Sequence, residues 1–323
     1  MSRTYPMVCP VCSGGDFRLT YEGITGIDNQ QYDLITCASC GFATVSPLPS
    51  AAALAEFYSA NRESRTKSNI YEHGDAKDFI DTNKSVIEDN LTLLSLIEPY
   101  RSSGQKRLLD VGCGHGFMCY AAKLCGFDAH GVDMDADAKR IGAKHLGVDI
   151  TTGTIEDVAV HDFDVITEIM TLEHVREPRE HVGEVAHRLV PGGLYVGSVP
   201  NFGGVYARLR GRKWYHLIPP EHLNYFTVPA LTRLLESSGF DILSIGTIPL
   251  YAAPTLCFGV RSRLNRLIDR QGNTVTKKAL LGLYRILTLL KRYVIYKPLN
   301  FLILTFALPG NGIFWVARKR EAI

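Results

Sequence analysis

The sequence predicts a doubly wound α/β domain preceded by a small module clasped by cysteines. Three observations carry this expectation. Strand-length apolar runs alternate with amphipathic helical segments from about Arg107 onward, a glycine-rich turn closes the first of those runs, and two C-x-x-C pairs stand near the N-terminus.

The elements follow in order. Pro47-Leu48-Pro49-Ser50 ends the cysteine module, and Ser50 is suited to cap a helix over Ala51 to Tyr58. A second helix is expected from about Asp81 to Glu98. Strands are then read at Arg107 to Val111, Ala129 to Val132, Val148 to Thr152, Phe163 to Ile169, Leu194 to Val199, Asp241 to Thr247 and Ile313 to Arg318. Helices between them are read at Phe117 to Cys125, Ala136 to His145, Arg179 to Leu189 and Leu231 to Ser238. No internal repeat or low-complexity tract interrupts the series.

Composition bounds the function classes. At 323 residues with 46% hydrophobic side chains, the chain can fill a large core and is not expected to be disordered. Its 35 basic and 33 acidic residues nearly cancel, so no global charge calls for nucleic acid. The balance is uneven, however: 13 Lys and Arg lie between Arg261 and Arg320 against the single acid Asp269. The start MSRTYPMVCP lacks a secretory apolar run, and no stretch reaches the ~18 to 20 apolar residues of a membrane span. A cytoplasmic protein with reduced thiols is therefore expected.

Four of the eight cysteines then have a clear use. Cys9 and Cys12, with Cys37 and Cys40, form two knuckles whose thiolates can close a tetrahedron around zinc, and the partial alternation of Phe17, Leu19, Tyr21, Tyr32, Leu34 and Ile35 suits short strands. Residues 1–48 thus read as a zinc ribbon, and four protein ligands make that zinc structural. Cys113, Cys119, Cys125 and Cys257 are expected to be buried small hydrophobes.

The first strand of the large domain, residues 49–323, ends in Asp110-Val111-Gly112-Cys113-Gly114-His115-Gly116. Glycines at a strand-to-helix turn let backbone amides approach a nucleotide-type cofactor. A nicotinamide site would place a third glycine where Phe117 stands. An acid two residues before the first glycine disfavours a pyrophosphate and suits a cofactor bearing an ammonium and a sulfonium, which points to S-adenosylmethionine. Asp133 closes the second strand 21 residues beyond Gly112, where a carboxylate can accept ribose hydroxyls.

The segments LLDVGCGHGF, GVDMD and FDVITEIMTLEHV resemble the successive motifs of class I S-adenosylmethionine-dependent methyltransferases. That resemblance covers about Asp81 to Ile248 and returns at the last strand. It implies a Rossmann-like seven-stranded sheet with the final strand antiparallel. It also implies that Asp110, Gly112, Gly114 and Gly116 line the methionine part, Asp133 holds the ribose, Met134, Ile155 and Glu156 flank adenine, and Ile169 closes the pocket.

Acceptor residues should come from the loops after the fourth and fifth strands. The fourth supplies Glu173 and His174, and the fifth a long loop from Pro200 to Thr227. Within it, Glu221-His222-Leu223-Asn224-Tyr225-Phe226 resembles the E-H-L-x-Y-F motif of methyltransferases acting on nucleotide-linked deoxysugars and of related glycan and natural-product enzymes. The sugar C-methyltransferases also carry an N-terminal zinc ribbon. The resemblance makes His222 a proton acceptor oriented by Glu221, with His174 a second candidate; either residue pair could instead serve only to hold its loop.

Those sugar enzymes carry a further large α/β domain, whereas about seventy residues follow the sixth strand here. The expectation therefore shifts to O-methylation of a sugar, glycan or natural-product hydroxyl. Ketosugar C-methylation, quinone or phenol O-methylation and a non-catalytic zinc-ribbon adaptor are the alternatives. A nucleic-acid acceptor is disfavoured, because no N-P-P-Y-type motif follows the fourth strand. A helical insertion is expected at about 260–309, with Lys278, Arg285 and Arg292 recurring every seven residues. Such a segment suits an anionic membrane surface at the inner face, a lid, or a homodimer interface.

Overall fold

A computed structural model of the chain describes residues 7–60, 75–102, 104–248 and 310–321. At the N-terminus, β1 (Phe17–Thr25), β2 (Gln31–Cys37) and β3 (Ala43–Ser46) form an antiparallel sheet, with Phe17 opposite Cys37 and Thr36 opposite Ala43. Ser50 accepts a hydrogen bond from Ala53 N at 3.1 Å and opens α1 (Ala51–Ala60), as a helix-capping serine should.

The single helix expected over Asp81 to Glu98 is two. Asp75 caps α2 (Ala76–Thr82), and α3 (Lys84–Ile97) starts after Asn83, whose side-chain amide donates to Phe79 O at 2.8 Å. An asparagine that bonds its own preceding turn competes with helix continuation.

The large domain then alternates β4 (Arg107–Val111), α4 (Phe117–Leu124), β5 (Asp128–Asp133), α5 (Ala136–Ile141), β6 (Asp149–Thr152), β7 (Phe163–Ile169), α6 (Pro178–Arg188) and β8 (Leu189–Pro200). The helix expected to run to His145 changes to a π turn over Gly142–Leu146. The loop after β8 is partly ordered into α7 (Val205–Arg210) and the two-residue β9 (Asn224–Tyr225). Residues of α8 (Val228–Ser237), β10 (Phe240–Ile248) and β11 (Gly312–Lys319) complete the described chain.

Seven strands form one sheet in the order β10-β11-β8-β7-β4-β5-β6, with β11 antiparallel to both neighbours and the β6-to-β8 block parallel. Successive strand residues feed opposite faces. Leu108, Val165 and Val196 join the core beneath α3 and α4, while Leu109, Ile166 and Tyr195 join the core beneath α6 and α8. Cys9, Val11, Phe17, Ile35, Cys37 and Phe42 belong to the second of these cores. The N-terminal module is therefore packed onto the large domain, and Arg179 of α6 donates to Pro10 O at 2.7 Å and to Val11 O at 2.6 Å.

Cys113 and Cys119 are buried as expected, but Cys125 is exposed, because it follows α4 at the surface end of the helix. Cys257 and the insertion at about 260–309 lie outside the described residues. No helix among the described residues is long and apolar enough to cross a membrane.

Candidate active site

A cleft of about 540 Å³ opens at the carboxyl ends of β4 and β5. Crevices there follow from parallel strands whose loops diverge beyond the sheet. Its walls include Gly112, Asp133, Met134, Ile155, Glu156 and His174, all read from the sequence as site residues. Ala51, Leu54, Ala55 and Tyr58 of α1 form a further wall that the sequence reasoning missed.

The glycine turn joins β4 to α4. Gly112 has φ +68°, and a Cβ there would lie 2.2 Å from Thr171 Oγ1, so a side chain is excluded by both backbone and space. Asp133 fixes the turn: its Oδ2 accepts from Gly114 N and its Oδ1 from Asp135 N, both at 2.8 Å. Gly116 is the residue before α4. Neither Gly114, Gly116 nor Ile169 is among the lining residues; Ile169 packs against the core under α3 and α4.

Asp110 also stands back from the cleft, 4% exposed, with Thr167 Oγ1 donating to it at 2.7 Å. Burial pushes its carboxyl up to about 7, the charges of Asp133 and Glu168 add to this, and the Thr167 bond opposes it. Met134, 60% exposed, flanks the cleft where β5 ends. Ile155 and Glu156 sit on a 3₁₀ turn held by reciprocal capping between Thr154 and Asp157.

The lining carboxylates Asp133, Glu156, Glu177 and Glu180 outnumber the arginine Arg176. Such a wall repels pyrophosphate and attracts a cation. The residues present therefore fit S-adenosylmethionine, with its sulfonium and ammonium, better than a dinucleotide.

A polar corner adjoins the cleft. Leu172–His174 form a 3₁₀ turn after β7. Glu173 is 1% exposed and neither carboxylate oxygen has a hydrogen-bond partner. Burial pushes its carboxyl well above the usual range, and the charges of Glu168 and Glu221 add to the effect. His174 Nδ1 lies 2.6 Å from the Glu221 carbonyl oxygen. A carbonyl only accepts, so Nδ1 carries the proton and Nε2 is the basic atom.

His222 lies edge-on to His174 at 4.7 Å and stacks on His216 at 5.4 Å. Burial, with His174 and His216 beside it, holds His222 well below the usual imidazole range; burial and His174 hold His216 at about 3. His222 is not a lining residue, and Glu221 acts on His174 through its main chain. The corner is braced by the N-terminal module, since β9 pairs with β3 and Thr44 Oγ1 donates to Leu223 O at 2.9 Å.

A second buried network escaped the sequence reading. Glu168 of β7 is fully buried and accepts from Tyr195 OH and, at 3.0 Å, from His181 Nε2. Burial pulls the His181 pKa down, but the charge and hydrogen bond of Glu168 outweigh it and leave it raised. His181 reaches the cleft wall. Its signal in the sequence was only a histidine beside the buried Pro178, Val182 and Val185 of a largely polar helix.

The four N-terminal cysteines do come together. Cys9 and Cys40 sulfurs lie 3.6 Å apart, those of Cys12 and Cys37 3.5 Å apart, and all four are within 4.8 Å of one another.

A family model described as a methyltransferase domain matches residues 80–245, just over half of the chain. The chain belongs to that methyltransferase-domain family. Among curated proteins it is similar to the ubiquinone biosynthesis O-methyltransferase of Nitrobacter winogradskyi, 30% identical over 148 residues, covering 42% of this chain and 57% of the relative. The enzyme of the same name from Bradyrhizobium sp. is 29% identical over 153 residues, covering 41% and 60%. The chain thus spans less than two thirds of the length of these relatives. Among solved structures it is similar to phosphoethanolamine N-methyltransferase 2 of Haemonchus contortus in complex with S-adenosyl-L-methionine. That similarity has a TM-score of 0.45 and 16% identity, covering 72% of this chain and 53% of that one.

Proposed function

We propose that this chain methylates a hydroxyl oxygen of a small acceptor using S-adenosylmethionine. The observation that carries the reading is His174, which lines the cleft shared with Gly112 and Asp133 while the Glu221 carbonyl fixes its tautomer. S-adenosylmethionine supplies, when bound, a methyl group on a sulfonium. Asp133 would accept the ribose hydroxyls, Met134 and Ile155 would flank the adenine, and the buried acid Asp110, held by Thr167, would support the glycine turn from beneath.

The acceptor oxygen forms its bond to the methyl carbon as the carbon–sulfur bond breaks, and the electron pair stays on sulfur. His174 Nε2 takes the hydroxyl proton during or after transfer, with Glu221 O holding the ring against rotation. His222 and His216 pack behind as neutral rings that keep the corner free of competing positive charge.

For the acceptor, a phenolic hydroxyl is the reading with most support. Phenols ionise near ~10, far closer to an imidazole than sugar alcohols do, and the relatives above are named as ubiquinone biosynthesis O-methyltransferases. A glycan hydroxyl is the second reading, favoured by the Glu221–Phe226 segment together with the cysteine module. Parallel assays with catechols and with sugar nucleotides, read by the position of a labelled methyl, separate them. Label confined to sugar oxygen would overturn the phenolic choice.

The four thiolates would hold one structural zinc ion. Their spacings of 3.5 and 3.6 Å approach those of a tetrahedron with Zn–S bonds of about 2.3 Å, whose sulfurs stand about 3.8 Å apart.

A further inference from the structure

We infer that Glu173, His174 and His222 form a divalent-cation site in the corner of the cleft. One ligand atom from each lies within 4.8 Å of the others, although the residues come from two loops 48 positions apart. Two observations point to a ligand. The Glu173 carboxylate is 1% exposed, neither oxygen makes a hydrogen bond and its Oε1 stands 4.0 Å from His174 Nε2, while His222, 5% exposed, has a buried Nδ1 with no hydrogen-bond partner.

His174 is oriented as a ligand would be: Nδ1 donates to Glu221 O, and Nε2 lies 4.0 Å from Glu173 Oε1. Metal-bound histidines usually give their second ring nitrogen to such a carbonyl, which fixes the tautomer and aims the other nitrogen at the ion. A protonated Glu173 would be the simpler occupant of a buried corner. It would have to donate a hydrogen bond, and neither of its oxygens makes one.

Two imidazoles and one carboxylate suit first-row cations such as Co²⁺, Fe²⁺ or Zn²⁺ and match poorly the all-oxygen sets of Mg²⁺ and Ca²⁺. Three protein ligands leave a coordination position open. Because His174 lines the cleft together with Gly112 and Asp133, an ion held there would sit at the cleft wall. The role in the reaction rests on the O-methylation reading, whereas the binding does not. An acceptor hydroxyl on the cation loses its proton to solvent more readily, and in the loaded site His174 and His222 serve as ligands in place of the base.

The test is a Co²⁺ titration of full-length protein whose zinc content has been measured, followed by visible absorption and equilibrium dialysis. Thiolate charge-transfer bands report uptake at the cysteines, and weaker d–d bands alone report the new site. The expected result is one Co²⁺ per chain without thiolate bands, weakened about tenfold or more by Glu173→Gln and by His222→Ala and retained by His216→Ala. Folding is checked by the thermal shift with S-adenosylhomocysteine, and His222→Gln replaces any variant that fails it. No cobalt outside the thiolate site, or uptake unchanged in both ligand variants, would overturn the site. Cobalt bound in the corner with no methyl transfer to any hydroxyl would leave the site standing and defeat the O-methylation reading. Methyl transfer that survives chelation in a chain that takes up no cobalt would do the reverse.

Discussion

Asp110 keeps its proton in the folded chain up to about 7 against an ordinary 3.8, so folding binds a proton that the unfolded chain has lost across that window. Stability should therefore fall as pH rises from about 4 to 7, by up to ~4 kcal/mol for a three-unit shift of a buried acid. Asp110→Asn should flatten this decline in denaturant titrations; an unchanged slope would show that another group carries it. Asp133 is different, because its carboxylate holds the glycine turn and would also bind ribose. Asp133→Ala should weaken S-adenosylhomocysteine binding by about tenfold or more in calorimetry. His174→Ala should lower turnover by roughly 10² with cofactor affinity nearly unchanged, as expected for losing a proton acceptor. His222→Ala reaches the reaction only through His174 or a shared cation, so a loss confined to His222 would return the base to the E-H-L segment. Asp133 was legible in the sequence because a strand end and a glycine spacing are local signals. The burial of Glu173 without a hydrogen bond and the pairing of His174 with Glu221 O were not, since both arise where two distant loops meet.

At the scale of elements, the N-terminal module and the acceptor loop are one structure. β3 pairs with β9 immediately after His222, and Cys37 N donates to Phe42 O beside that pairing. Cys37→Ser with Cys40→Ser should release zinc and loosen β3, lowering turnover more than cofactor affinity. Metal analysis and calorimetry on the same sample check this, and a full metal content in the variant would count against the four-cysteine site. β4 and β7 were read to the residue, because apolar runs buried on both faces end sharply at polar turns. β9 escaped, being two residues long and defined only by a partner some 180 positions earlier. The wall formed by α1 escaped as well, since an alanine-rich helix announces its own formation but not what it covers.

Over the whole molecule, β11 inserted antiparallel between β8 and β10 and the two cores flanking the sheet agree with the seven-stranded arrangement that the motif resemblance implied. The cleft lies where the parallel strands end, with the polar corner at its side and the cysteine module bracing that corner. Methyl transfer to a hydroxyl is the claim on which these parts converge. It is tested most directly by incubating the full-length chain with methyl-labelled S-adenosylmethionine and a panel of phenolic and sugar acceptors, then locating the label by mass spectrometry. Label on an acceptor oxygen, reduced roughly 10² by His174→Ala, is the expected result. Label recovered only on carbon or nitrogen, or no transfer by a chain that binds S-adenosylhomocysteine, would contradict it.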